Sequence, residues 1–342
     1  MADDLHTLVV GRDAMACRFE VVFNAGELPG DTELGIAALD VVDEIEDRIS
    51  IYRDTSEWSR LNAKAATEWL EASPDTFALL ERARDLHART HGAFDIAAGA
   101  LVRAWGFLQR QGRVPNDSER AIALEASGTR WLDLDPNRRT VRFLRPGLEL
   151  NPGAIGKGWA LDQAADVVVR GGAGSFLLHG GQSSVLARGT QGPAADGRHG
   201  WRVGLRHPLR PGRRLATLIL DDASLATSGS GTQFFIDKGR RLGHLLDPRT
   251  GLPAEGVLSA TVITPSAADA DALATALYVL GPAGLPLVAP PAGDTAAVLV
   301  LPEGSGGVRL LLANLAEAAI DIEPEPGLSV EWIRPPKNTE PP

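Results

Sequence analysis

The stretch Ser266-Ala-Ala-Asp-Ala-Asp-Ala-Leu-Ala-Thr-Ala-Leu-Tyr-Val-Leu-Gly281 reads as a helix opening with two acids. Within it Asp271 and Thr275 stand four residues apart, which puts a carboxylate and a hydroxyl on one helical face. Both are hard oxygen donors of the kind Mg²⁺ takes alongside waters and phosphates. The same residues also have an ordinary reading. Acids in a first turn complement the helix dipole, and a threonine inside a helix bonds back to a carbonyl.

Upstream of this helix, Leu258–Thr264 reads as a strand, and downstream Ala296–Leu301 pairs with Val308–Leu312. Toward the N-terminus, Thr7–Val10 and Cys17–Phe23 read as strands joined by a polar turn. Asp31–Ile49 carries helical periodicity, with Leu34, Ala38, Val41, Val42 and Ile45 sharing a face. Pro74–Arg89 is a second helix, capped by Ser73 with Pro74 in its first turn, and Ile96–Ala104 is a third. Arg130–Leu134 and Thr140–Phe143 flank a turn and predict a hairpin. After the turn Asn151-Pro-Gly-Ala-Ile-Gly-Lys-Gly158 a helix runs to about Arg170. Strands then follow at Ser175–Leu178, Ser183–Ala187, Trp201–Leu205 and Leu215–Leu220, with a surface loop over Gln191–Gly200. Runs of strands with isolated helices predict an α+β fold rather than a doubly wound sheet. No repeat or linker divides residues 1–322, and residues 323–342, rich in proline and acids, are expected to form a peripheral tail.

The 342 residues carry a net charge of −10, which argues against a nucleic-acid surface. An anionic ligand must therefore be drawn in by a metal, a lysine or helix N-termini. The single cysteine, Cys17, excludes an internal disulfide and a cysteine zinc site. The N-terminus lacks the apolar run of a signal peptide, and no segment has about 18 continuous apolar residues, so the expected location is the cytoplasm, with no membrane partner.

Four further segments carry candidate chemistry. Asn151–Gly158 suits anion binding at a helix start, although it is not a Walker A loop. Lys157 is misplaced against the helix dipole there, which leaves two readings, a ligand role or a solvated lysine. In Gly243-His-Leu-Leu-Asp-Pro-Arg-Thr-Gly251 the Asp247–Gly251 part signals a turn. His244 is the candidate general base, with Asp247 as its orienting partner; the alternatives are a half-exposed histidine beside a turn-stabilising aspartate, and Asp271 or another carboxylate as the base. In Thr90-His-Gly-Ala-Phe-Asp95, Phe94 offers a ring and Asp95 an acceptor for a heterocycle, or alternatively a helix cap. Tyr52, in Ser-Ile-Tyr-Arg53, offers a stacking surface.

The order of the short motifs adds what none gives singly. MAC at 15–17, SIYR at 50–53, SRLN at 59–62, GAFD at 92–95, WGF at 105–107 and AIGKG at 154–158 are followed by HGG at 179–181. ATSG at 226–229, HLLDPRTG at 244–251 and ADALATALYVLG at 270–281 complete the series. This series resembles the ApbE family of FAD:protein FMN transferases, the flavinyltransferases, from about Met15 to Asn314.

The resemblance implies a T-fold-like α+β architecture with mixed and antiparallel sheets, FAD as substrate and Mg²⁺ at its diphosphate. It implies flavin contacts from Met15, Tyr52, Ala93, Phe94, Asp95, Asn151 and Lys157, and a metal set of the Ala154 carbonyl, Asp271 and Thr275. His244 and Asp271 become the candidate catalytic residues. The implied reaction moves FMN to a Thr or Ser of an acceptor flavoprotein and releases AMP; the alternatives are an FAD pyrophosphatase and a non-catalytic flavin binder. Departures from the family pattern are Ser230-Gly231 after ATSG, Gln182 after the paired glycines, and Asn151 where Asp is frequent. The absence of a lipoprotein leader resembles the cytoplasmic branch.

Overall fold

The computed structural model describes residues 6–109, 111–192, 197–229, 231 and 233–333. Its frame is a nine-stranded sheet. In spatial order the strands are Thr7–Ala14, Cys17–Asn24, Phe176–Gly180, Ser184–Arg188, Ser224–Gly229, Ser259–Thr264, Ala296–Glu303, Gly307–Ala313 and Leu328–Ile333. Every neighbouring pair is antiparallel except the last, which is parallel.

Side chains alternate across a strand, and the two faces of this sheet have different coverings. Ala297, Leu299, Leu311 and Ala313 join the main core beneath the helices. Their alternates Val298, Val300, Leu310 and Leu312 form a second core with Trp201, Leu205, Leu215 and Leu218. Those last residues belong to a three-stranded sheet in the order Ile320–Ile322, Arg214–Leu220, Trp201–Arg206. The result is helices, large sheet and small sheet stacked in three layers, an α+β fold built mainly from antiparallel strands.

Helix Ala267–Leu280 lies at the centre of the helical layer, with Leu273 and Leu277 fully buried, each burial contributing about 1.5–3 kcal/mol. The helical run Ala267–Val288 is long and apolar enough to cross a membrane by length and composition alone, yet most of it is buried within the fold. Here its apolar surface is spent on the core. Its N-terminus is held from outside as well as by Ser266: Asp162 accepts the Ala267 and Ala268 N–H groups and the Ser266 hydroxyl. Asp162 sits on helix Gly156–Arg170. The two helices touch at Gly158, where a Cβ would stand 2.0 Å from the Ala267 carbonyl oxygen, so only glycine permits the crossing.

Helices Asp31–Ile49 and Pro74–Arg89 form with the expected bounds, and Ser73 accepts the Thr76 N–H as N-cap. The third expected helix is shorter, Gly99–Ala104. The Asp95 carboxylate takes the Ala97 N–H and the Glu149 carbonyl takes the Gly99 N–H, so Ile96–Ala98 is bent into a turn. Not anticipated were the helices Glu57–Lys64, capped by Ser56, and Asp117–Glu125, closed by an Asn116–Glu119 capping box, and the single turn Leu285–Val288.

Part of the expected tail is an edge strand of the sheet. Leu328–Ile333 pairs with Gly307–Ala313, with Leu328 and Trp332 packed on the second core; residues 334–342 lie outside the described residues. So do residues 193–196 of the expected surface loop, and Ser230.

Candidate functional site

The hairpin joining the first two strands turns on Met15 and Ala16, with φ of 48° and 58°. Two non-glycine residues in the left-handed region each cost about 1–2 kcal/mol, a strain of the kind that collects at functional sites. The turn carries both residues to the mouth of a cavity of about 460 Å³, within the range of small-molecule sites.

Remote parts of the chain build the rest of its wall. The glycine turn brings Asn151, Gly153, Ala154 and Lys157, and the buried helix brings Asp271 and Thr275. The strand Ser224–Gly229 brings Thr227 and Ser228, and the loop after the hairpin Phe234–Gly243 brings His244. Tyr52 stands at the mouth with 72% of its surface exposed, leaving a ring face available for a flat ligand.

The two acids of the buried helix are separated by their partners. Asp269 forms a two-pronged ion pair with Arg82 on helix Pro74–Arg89 and lines no part of the cavity. Asp271 faces the cavity. Its Oδ2 accepts the Gly158 N–H at 2.7 Å and lies 3.6 Å from Lys157 Nζ, and its Oδ1 accepts the Ser184 hydroxyl at 2.6 Å. Thr275 Oγ1 donates back to the Asp271 carbonyl at 3.2 Å and lies 3.1 Å from Ser228 Oγ.

Among the described residues no group of three His, Cys, Asp or Glu side chains gathers to hold a metal. A cation here must therefore rest on mixed oxygen donors. One carboxylate, one hydroxyl and one backbone carbonyl, with a lysine beside them, are what Mg²⁺ takes when substrate phosphates and water complete its shell. Each Asp271 oxygen keeps a lone-pair site after its present bond. The residues present fit such an ion.

His244 is held by a different partner from the one expected. Its Nδ1 lies 3.0 Å from the Gln233 carbonyl oxygen, so Nδ1 carries the proton and donates, leaving Nε2 as an unprotonated acceptor. The edge of the Phe107 ring packs against the imidazole. Burial pushes its pKa below the ordinary value, and the Lys157 charge adds to this. A neutral imidazole near pH 7 with a free Nε2 is a competent proton acceptor. Asp247 instead binds the Arg249 N–H and guanidinium and closes the Asp247–Gly251 turn.

Phe94 is also corrected. Its ring is buried in the main core, because the Thr90 hydroxyl takes the Phe94 N–H and turns the chain inward. Ala93 and Asp95 do line the cavity, but the Asp95 carboxylate is already occupied by the Ala97 N–H, the Thr129 N–H and hydroxyl, and His87 Nδ1 at 3.2 Å. Asp95 shapes the wall, and has little acceptor capacity left for a heterocycle. The residues that the sequence reading missed are Ser184, Ser228 and Gln233. ATSG contained Ser228, but its bond to Thr275 joins positions 47 residues apart, and no local pattern announces such a pairing.

The family model described as "ApbE family" matches residues 15–299. An FAD:protein FMN transferase of Rhodobacter capsulatus is 36% identical over 266 residues, which are 75% of this chain and 49% of that protein. The chain thus matches about half the length of that relative. One of Vibrio cholerae is 32% identical over 70% of this chain and 71% of its own length. Among solved structures, an ApbE protein of Thermotoga maritima superposes with a TM-score of 0.79 at 27% identity, covering 89% of this chain and 96% of that one. The apo flavinyl transferase ApbE of Pseudomonas stutzeri gives 0.78 at 28% identity, covering 91% and 95%.

Proposed function

The chain belongs to the ApbE family, and on that footing we propose that it is an Mg²⁺-dependent transferase moving FMN from FAD to a hydroxyl of an acceptor flavoprotein. The observation that carries the reading is one cavity collecting Met15, Tyr52, Asn151, Ala154, Lys157, His244, Asp271 and Thr275 from separated stretches of chain. Relatives named for this transfer support it.

Transfer from a diphosphate depends on position and charge more than on covalent chemistry by the protein. Asp271, Thr275 and the Ala154 carbonyl would hold the cation, which when bound supplies Lewis-acid polarisation of diphosphate oxygens. Lys157, tethered 3.6 Å from Asp271, adds a fixed positive charge beside the same oxygens. Tyr52 and Met15 at the mouth would bracket the flavin ring.

His244 Nε2 accepts the proton of the acceptor Thr or Ser hydroxyl as its oxygen bonds to the riboflavin-side phosphorus. The bridging P–O bond to the AMP half breaks, and AMP leaves with the electron pair. The product is FMN in phosphoester linkage to the acceptor.

The test incubates the chain with FAD, Mg²⁺ and FMN-binding domains from the same organism, followed by denaturing electrophoresis. Flavin fluorescence should remain on an acceptor band, with AMP released in equal amount, and chelation should abolish both. Free FMN without a labelled band would replace transfer by hydrolysis, and labelling that survives chelation would remove the cation.

A further inference from the structure

Strand Ser184–Arg188 lies inside the nine-stranded sheet, between Phe176–Gly180 and Ser224–Gly229. Its alternation sends Leu186 into the main core beneath the helices, and Val185 and Ala187 into the second core. Ser184 shares a face with Leu186, so an apolar side chain would suit its position. The serine is nonetheless fully buried, at 0% exposure, opposite Gly180 on one neighbouring strand and Ala226 on the other. A hydroxyl in such surroundings needs a partner, and it donates to Asp271 Oδ1 at 2.6 Å. Ser184 lines no part of the cavity; it reaches Asp271 from behind.

This bond decides how the carboxylate stands. The Gly158 N–H and Lys157 Nζ both approach Oδ2, so by themselves they leave the group free to swing about that oxygen. A donor on Oδ1 removes the freedom and fixes the plane. Hydroxyl-to-carboxylate bonds of this length are among the stronger hydrogen bonds. Because Ser184 is neutral, it holds the anion without setting another positive charge beside it. Partners that orient a metal-binding carboxylate in this way are worth about 10–100-fold in metal affinity.

Resting on the transferase reading, we propose that Ser184 is a positioning residue for the cation. It locks the Asp271 carboxylate in the orientation that, with Thr275 and the Ala154 carbonyl, receives Mg²⁺. Its effect falls on how tightly the ion is held, and not on the transfer once the ion is in place. A requirement of the site is thereby carried into the middle of the sheet, where position 184 is kept for a small hydroxyl.

The test titrates Mg²⁺ into the chain with ADP, a diphosphate that carries no FMN to transfer, and reads affinity from the rise of Tm with Mg²⁺ concentration. Ser184→Ala should weaken that affinity by about tenfold or more. Ser184→Cys, a weaker donor of similar size, should fall between. In transfer assays Ser184→Ala should need correspondingly more Mg²⁺ for half-maximal rate, with kcat at saturating Mg²⁺ little changed. The control is Ser224→Ala, which removes an equally buried hydroxyl bonded to the Pro265 carbonyl and should leave Mg²⁺ affinity at the unaltered value. Unchanged affinity in Ser184→Ala, or an equal loss in Ser224→Ala, overturns the positioning role alone. No Mg²⁺-dependent rise in the unaltered chain overturns the cation and this inference together. Mg²⁺ binding without labelling of any acceptor overturns the transfer reading and leaves Ser184 in its role.

Discussion

Two histidines in this protein make the same first bond. His87 Nδ1 meets the Phe94 carbonyl at 3.1 Å, and His244 Nδ1 meets the Gln233 carbonyl at 3.0 Å. Burial opposes protonation at both. At His87 the hydrogen bond and charge of Asp95 outweigh it, and the pKa ends above the ordinary value. At His244 nothing outweighs it and the pKa falls.

The carboxylates sort the same way. Asp95 lines the cavity but gives its oxygens to Thr129, Ala97 and His87, whereas Asp271 is held by Gly158 and Ser184 yet stands next to Lys157 in the cavity. One region spends its polar groups on holding the wall, and the other keeps lone pairs turned toward a ligand.

The strongest way to break this contrast is Asp271→Asn. Turnover should fall by on the order of 10³-fold, measured as flavin label per unit time at saturating FAD. Because the Gly158 and Ser184 donors lose their anionic acceptor, stability should also drop by about 1–3 kcal/mol, read by urea titration. Near-normal turnover at any Mg²⁺ concentration would place Asp271 with Asp95 among the structural acids.

His244→Ala should lower kcat by about 10²–10⁴-fold with a much smaller change in FAD affinity. A base acts when deprotonated, so wild-type kcat should fall as pH drops through a pKa below about 6.5, and the variant should lose that acid limb. If affinity alone changes, His244 is a binding residue.

Asp95→Asn should have the smallest effect on turnover, a few-fold at most, while destabilising the fold by about 1–3 kcal/mol. The folded His87 pKa lies above its unfolded value. Its contribution to stability is therefore fully present below about pH 6.5 and is lost as pH rises through the raised folded pKa. Asp95→Asn should flatten that slope in pH-dependent thermal melts. A loss of turnover exceeding that of His244→Ala would erase the distinction between the two acids.

Much of the fold was legible in local patterns. Helix Asp31–Ile49 has periodicity and Pro74–Arg89 a Ser73 cap that act within a few residues, and strands such as Leu132–Asp135 and Thr140–Phe143 show period-two alternation. Helix Asp117–Glu125 is legible too, since Asn116-Asp-Ser-Glu119 is a capping-box signature. Ile96–Ala98 could not be read as non-helical, because its turn is imposed by Glu149 and Asp95, partners the helical pattern does not contain.

Sequence alone determined which residue types were available for chemistry: the Asp271 and Thr275 pair at helical spacing, Lys157 after a glycine turn, and a histidine before a tight turn. Tertiary structure alone decided that Asp269 would serve Arg82 while Asp271 faced the cavity, that Gln233 rather than Asp247 would orient His244, and that Phe94 would be buried. The physical reason is range. Periodicity, capping and turn preferences act over a few residues, whereas the partner that sets a buried group's charge and direction arrives from anywhere in the chain once the sheet and helices have packed.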